Sequence, residues 1–288
     1  MGSLATLDRT LLVLGSGPGI GRSVTTQFAS NRYNKVVLIA RRADQLTTEK
    51  RAIEAAVPSV KVKTYAVDLT DAKALTAALD DADATFGRPE TVFYNAARVL
   101  PSELFAHPVE DIEYDLKVCL HLCHLVVVAP SCGTRERGER EKRGGVGSGE
   151  TERKEERREE SRLANSILYQ KQVCVSALYN IAQRYVPYLV KLAKADASSH
   201  PSLIVTSSAL PHHPYPPFFA LSLVKAAQRN LVQSLNLTYA AQGVHIGVVN
   251  VGGPVSPDHE AWNPDNIAQK TWEWYEDAKE TPSFEVEI

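Results

Sequence analysis

Two kinds of hydrophobic pattern alternate along the chain. Short runs that are apolar throughout occupy Thr10 to Leu14, Lys35 to Ala40, Thr91 to Asn95, Ser202 to Ser207 and Val244 to Val251. Runs of this length and composition read as strands buried on both faces. Val60 to Ala66 and Phe284 to Ile288 instead alternate apolar with polar residues, the second reading as a final edge strand. Between them, apolar residues recur at helical spacing over Ser23 to Ser30, Asp71 to Phe86, Phe218 to Ala241 and Ile267 to Ala278. Thr70 or Asp71 would cap the second of these helices. Strand and helix in strict alternation predict an α/β fold: one doubly wound parallel sheet, helices on both faces, right-handed crossovers.

The pattern breaks once. A helix begins near Val109 and its apparent continuation begins at Val173. In between, from Gly133 to Arg162, Val146 is the only aliphatic residue among Arg, Glu, Lys, Gly, Ser and Thr. Such a composition buries too little apolar surface to offset its ordering entropy, so disorder is expected there. Lys117-Val-Cys119 and Gln172-Val-Cys174 repeat Val-Cys at the two borders. Removing residues 118–172 joins Leu116 to Val175, Leu178, Ile181, Ala182 and Tyr185 on one apolar helical face. A valine codon begins with GT and a glutamine codon can be CAG, the two ends of an intron. The expectation is therefore a single domain over residues 1–288 interrupted by a low-complexity insertion at 118–172, readable as a retained intron. A genuine inserted loop and a charged partner-binding tract are the alternatives.

The first strand runs directly into Gly15-Ser-Gly17-Pro-Gly19-Ile-Gly21 and then a helix. Gly15 permits a tight turn, Gly19 lets backbone approach a phosphate, and Gly21 lets the helix pack on the strand. Free N–H groups and the dipole at the helix N-terminus then favour an anion. Residues 10 to 40 thus form a βαβ unit of the Rossmann type, with Gly15, Ser16, Gly17, Gly19, Ile20 and Gly21 as the candidate cradle for a dinucleotide pyrophosphate. An NAD site would place an acidic residue at the end of the second strand, where this chain has Arg41 and Arg42. Two guanidiniums and no carboxylate suit a 2′-phosphate, hence NADP(H); alternatively the pair only solvates the start of the next helix.

Composition adds limits. With 288 residues, 44% hydrophobic, and a net charge of −2, the chain has a sizeable core and no field that would attract nucleic acid or a membrane surface. His121 to Pro130 is apolar but far short of the roughly 20 residues of a membrane span. Four cysteines form no paired framework, and His121, Cys123 and His124 lack convincing zinc spacing, so no metal is expected. Nothing at the N-terminus reads as a signal peptide, which makes the cytoplasm the expected location.

By these motifs, in this order, the chain resembles the short-chain dehydrogenase/reductase family outside the insertion. Besides the glycines, Asp68 in Val67-Asp-Leu-Thr matches the aspartate that meets the adenine. Asn95-Ala-Ala97 stands where the family has Asn-Asn-Ala-Gly, and Ser207-Ser208 ends a strand at the place of the catalytic serine. Lys225 opens Lys-Ala-Ala-Gln-Arg-Asn on the following helix, and Asn250 to Val255 stands near a turn whose next residues face the nicotinamide. The resemblance implies hydride transfer between a nicotinamide and a carbonyl or alcohol carbon of a small molecule. It also implies a tyrosine as acid/base, a lysine that lowers its pKa and binds ribose, a serine on the substrate oxygen and an asparagine holding a relay water. The interrupted helix commonly pairs with its mate in such proteins, so a homodimer or tetramer is expected if the insertion is absent.

Two of those four positions are altered. Counting back four from Lys225, or forward thirteen from Ser208, gives Leu221 at the tyrosine position, and Cys174 falls at the asparagine position. Leucine cannot donate a proton. Ser208 and Lys225 remain, and the replacement acid could be Tyr215, His212 or His213 on the proline-rich loop Leu210 to Pro217; Tyr215 is carried forward as the candidate. Alternatively the substrate is an iminium ion, already activated for hydride attack. Fungal reductase/cyclases of indole alkaloid pathways, which belong to secondary metabolism, are similar in this respect. A non-redox cyclase or isomerase, or a nucleotide-binding protein without turnover, is the other class. Ser256 to Trp262 reads as a substrate-covering loop, while Trp272, Trp274 and Tyr275 either line a pocket or pack their helix onto the sheet.

Overall fold

The computed structural model describes residues 8–97, 99, 101–102 and 172–288. The helix expected near Val109 and the insertion at 118–172, apart from the backbone of Gln172, lie outside the described residues. Within them the chain forms a seven-stranded sheet in the order β3-β2-β1-β4-β5-β6-β7, parallel throughout. The strands are β1 (Thr10–Leu14), β2 (Lys35–Ala40), β3 (Lys61–Ala66), β4 (Thr91–Tyr94), β5 (Ser202–Ser208), β6 (His245–Val251) and β7 (Glu285–Glu287). The helices are α1 (Ile20–Asn31), α2 (Ala43–Ala56), α3 (Ala72–Phe86), α4 (Ala177–Ala195), α5 (Phe219–Tyr239) and α6 (Pro264–Asp277). This is the expected doubly wound Rossmann-like α/β fold.

Two apolar layers enclose the sheet, which is why β1, β4 and β6 are buried along their whole length. One layer joins Leu12, Leu14, Val92 and Tyr94 to Leu75 and Leu79 of α3 and to Leu178, Ile181 and Tyr185 of α4. The other joins Leu11, Val13 and Phe93 to Val24 and Phe28 of α1, Leu46 and Ile53 of α2 and Tyr275 of α6. The strand order reverses between β1 and β4, and a crevice opens beyond their carboxyl ends.

Helix boundaries depart from the sequence reading mainly at starts. α1 begins at Ile20, one turn before Ser23, because Gly19 ends the loop and Gly21 packs within the helix. Asp71, rather than Thr70, caps α3, its carboxylate accepting the Ala74 N–H at 2.9 Å. α6 begins at Pro264, where Asn263 caps by accepting from Asn266 N at 2.8 Å and proline occupies the first turn. Ahead of α4, residues Gln172–Ser176 form a π-helical turn. The aromatic residues of α6 pack: Tyr275 is fully buried, Trp272 meets Phe28 edge-on at 5.0 Å, and Trp274 abuts His245 at 4.3 Å. Of the 256–262 loop, Trp262 folds back on the β6 end, its Nε1 donating to the Ile288 carbonyl oxygen at 3.0 Å. Close approach of that indole to Gly252 and Gly253 leaves no room for a Cβ at Gly253.

Candidate functional site

The glycine loop forms the floor of the crevice. Gly15 turns out of β1 with φ +88°, and its N–H donates to the Ile39 carbonyl at 2.8 Å, locking the loop to β2. A Cβ there would lie 2.5 Å from Ala96 N, so β4 approaches the turn as closely as glycine permits. At Gly21 a Cβ would meet Gly15 O and Ser16 Cα at 3.1 Å, which is the helix-to-strand contact anticipated from the sequence. Gly17 and Gly19 are different: a Cβ on either would meet no described protein atom within 4 Å. Asn95 secures the third side by donating from Nδ2 to Gly15 O at 3.0 Å.

A cleft of about 280 Å³ lies above this floor. Gly15, Ser16, Arg41, Arg42 and Asn95, all anticipated from the sequence, line it together with Ala40, Gln45, Val67, Leu69, Ala96, Ala97 and Val173. None of these is acidic. The Ser16 hydroxyl is buried and has no partner within the described residues. Asp68 sits between two lining residues, and its carboxylate accepts from the Thr70 N–H and hydroxyl at 2.9 and 2.8 Å. Gly17, Gly19, Ile20 and Gly21 form the entry to α1 beside the cleft, and the N–H of Arg22 closes that turn on Gly17 O at 2.9 Å.

The catalytic candidates are placed less uniformly. Lys225 is buried, its Nζ donating to Thr206 O and to Gln228 Oε1, both at 2.8 Å. Burial pushes its ammonium below the usual lysine range, partly opposed by Cys174 nearby. Gln228, also fully buried, donates from Nε2 to Cys174 O at 2.9 Å, and the Tyr94 hydroxyl donates to Val173 O. Two side chains thus collect the carbonyls of the π-helical turn. Leu221 and Cys174, at the tyrosine and asparagine positions, share a small apolar cluster with Val224, flanked by Val175, Leu210 and Phe218. Ser208 is half-buried at the end of β5 and accepts weakly from the Leu210 N–H at 3.4 Å. Tyr215 is exposed, stacked on Phe218 at 5.9 Å, and Val255 is exposed as well. Neither they nor Ser208 and Lys225 line the cleft, which brings together Gly15, Ser16, Arg41, Arg42 and Asn95 but none of the catalytic candidates. The sequence reading passed over Gln228, although its place three residues after Lys225 puts both on one helical face.

Comparisons with known proteins fit this geometry. A family model described as short chain dehydrogenase matches residues 9–127. The match covers less than half of the chain, which is similar to this family over that N-terminal part. Among its relatives is a short chain dehydrogenase/reductase of Aspergillus aculeatus, AacuD, 27% identical over 132 residues, which are 44% of this chain and 45% of that protein. A second, from Claviceps purpurea, is 35% identical over 74 residues, 25% of each chain. The chain therefore spans less than half the length of these curated relatives. Solved structures share the fold of this chain over most of its length. A metagenomic short-chain oxidoreductase in complex with NADP superposes with a TM-score of 0.66 at 18% identity, covering 98% of this chain and 96% of that one. An NADPH-bound short chain oxidoreductase from Pseudomonas aeruginosa, reported to contain an atypical catalytic center, gives 0.68 at 15% identity, covering 98% and 95%. Among the described residues no helix is long and apolar enough to cross a membrane, and no cluster of three or more potential metal ligands occurs.

Proposed function

We propose that this chain is an NADP(H)-dependent oxidoreductase of a small molecule whose acid/base chemistry differs from the family pattern because Leu221 stands in the tyrosine position. The observation that carries the nucleotide half is the cleft: a glycine turn locked to β2 and β4, two arginines at one end, and a lining without a carboxylate. A Cβ on Gly17 or Gly19 would meet no described protein atom, which suits a phosphate approaching the backbone there. The unpartnered Ser16 hydroxyl fits as a further donor. Arg41 and Arg42 would take the 2′-phosphate, with Asp68, Asn95, Ile20, Gly21 and Val255 completing the coenzyme contacts. The coenzyme, when bound, supplies or accepts a hydride.

The chain's own residues then divide the remaining work. Ser208 donates to the substrate oxygen, and Lys225 acts as a fixed buried charge rather than as an exposed ribose ligand, since Thr206 and Gln228 hold its amine. Leu221 and Cys174 keep the adjoining wall apolar. A carbonyl substrate then needs a proton donor from the 210–217 loop, with Tyr215 as the candidate and His212 or His213 as alternatives, whereas an iminium substrate requires none. The apolar Leu221–Cys174 wall equally favours a second reading, a cyclase or isomerase, or a nucleotide-binding protein without turnover. On this proposal residues 1–288 are one dinucleotide-binding domain interrupted at 118–172, and the protein works in the cytoplasm, as a dimer or tetramer where the insertion is absent.

Titration calorimetry with NADPH and NADH tests the first half: saturable binding, tighter for NADPH, is expected. Following the nicotinamide absorbance with panels of carbonyl and iminium compounds tests the second. Absence of saturable binding to either coenzyme overturns the reading, and binding without turnover favours the non-redox class.

A further inference from the structure

A hydrogen-bonded chain that no motif announces joins the glycine loop to the arginine end of the cleft. It begins at Arg22, in the first turn of α1, whose Nε and Nη2 donate to both carboxylate oxygens of Glu49 at 2.6 and 2.8 Å. Glu49, on α2, is 0% exposed. Its Oε1 also accepts from Nε2 of Gln45, one helical turn earlier and on the cleft wall. Gln45 Oε1 in turn accepts from Arg42 Nη2 at 3.4 Å.

The direction of this chain is fixed by chemistry. A carboxylate paired with arginine can only accept, so Gln45 must present its NH2 to Glu49. Its carbonyl oxygen is thereby forced to the other side, toward Arg42, where only a donor is welcome. Two charge-assisted hydrogen bonds close the Arg22–Glu49 pair, and Glu49 raises the pKa of Arg22 through them. An exposed arginine with no such anchor would sample many rotamers, and freezing them on binding lowers affinity.

We infer that Gln45, oriented by Glu49, is a positioning residue that holds the Arg42 guanidinium across the cleft mouth and so sets the preference for a coenzyme carrying a 2′-phosphate. The inference rests on the nucleotide reading above and adds residues to it. Gln45 touches no phosphate itself; it acts through Arg42, so its loss weakens only the ligand that Arg42 recognises.

The experiment is a double-mutant cycle on the full chain, with Gln45→Leu, Arg42→Ala and their combination, measuring Kd for NADPH and NADH by the quenching of protein fluorescence. Gln45→Leu is expected to weaken NADPH by about 3- to 10-fold, to leave NADH within 2-fold, and to add little on top of Arg42→Ala. Glu49→Gln gives a second reading: with the acceptor neutral, the Gln45 amide loses its enforced orientation, and the NADPH-to-NADH ratio should fall in the same direction. Equal weakening of both coenzymes by Gln45→Leu, an unchanged ratio, or full additivity with Arg42→Ala overturns the inference while leaving the nucleotide reading intact. A wild-type chain that binds neither coenzyme overturns both.

Discussion

Lys225 Nζ donates to Gln228 Oε1 at 2.8 Å, and the same glutamine passes the connection on to Cys174 O. A buried ammonium is costly unless its N–H groups are satisfied, and among the described residues this one is met by a carbonyl and an amide oxygen. Gln228 therefore does two jobs, solvating the amine and pinning the π-helical turn that carries the cleft residue Val173.

Replacing Gln228 by leucine should accordingly cost more than one ordinary hydrogen bond. It removes a partner from a buried charge and leaves the Cys174 carbonyl without its donor, a loss of about 2 to 4 kcal/mol. Urea denaturation at constant m is the measurement. A shift under about 0.5 kcal/mol would mean that water takes over both roles.

The glycine loop separates fold from ligand. Gly15→Ala places a side chain at φ +88° and 2.5 Å from Ala96 N, so destabilisation by at least about 2 kcal/mol is expected. Gly17→Ala meets no described protein atom and has no positive φ, so its thermal midpoint should stay within about 2 °C of the parent. Its coenzyme affinity should nevertheless drop by at least 10-fold. Parallel thermal melts and coenzyme titrations of the two variants check both statements; an unstable Gly17→Ala would place that residue in the fold rather than at the ligand.

The contrast shows what the sequence could carry. The strand positions, the βαβ unit and the cleft floor were legible because each depends on local signals: apolar runs for β1 and β4, glycine where φ is positive, arginines directly after β2. Helix starts were read late where the first turn is polar or glycine-rich, as at Ile20 and Pro264, since apolar periodicity is silent there. The Glu49–Gln45–Arg42 chain stayed hidden because an ionised glutamate at a helical position ordinarily reads as surface, and only tertiary packing of α1 on α2 buries it. Tyr215 was chosen for its proline-rich loop, yet the phenol stacks on Phe218 in solvent, a placement fixed by the loop's path and not by its composition.

Leu221→Tyr probes the altered chemistry. Leu221 is 5% exposed within the Cys174–Val224 cluster, and a phenol there must displace neighbours, at about 1 to 3 kcal/mol of stability. If the chain is a reductase limited by its missing acid, the variant should gain turnover of carbonyl substrates with NADPH by at least 10-fold. Consumption of NADPH at 340 nm, roughly the nicotinamide band, compared with the parent on the same panel, is the readout; loss of native activity without such gain indicates a pocket repurposed around the leucine.

At the opposite end of the sheet, the rings of His200 and His245 stack at 5.8 Å, and this pair controls acid stability. Burial lowers both, His200 from 6.5 to about 3, with His245, Lys279 and Arg32 adding to the effect, and His245 from 6.5 to about 4 against a hydrogen bond to Ser283 O. Glu90, whose carboxylate accepts from the His200 N–H, is already engaged by Arg9 and Arg32, so it offers the imidazoles no compensation. Both folded values lie below the unfolded one, so the unfolded chain binds more protons in the interval between. Stability is then complete above about pH 6.5 and falls as the pH drops, for His245 down to about 4 and for His200 down to about 3. His200→Phe keeps an aromatic ring against Tyr275 while removing one titrating group. Between pH 6 and 4, roughly the window of the unfolded histidine's protonation, its unfolding free energy should fall less steeply than the parent's by about 1.4 kcal/mol per pH unit, the worth of one proton. Urea titrations of both proteins across that range measure the difference, and parallel slopes would show that His200 stays neutral in the unfolded chain or already charges in the folded one.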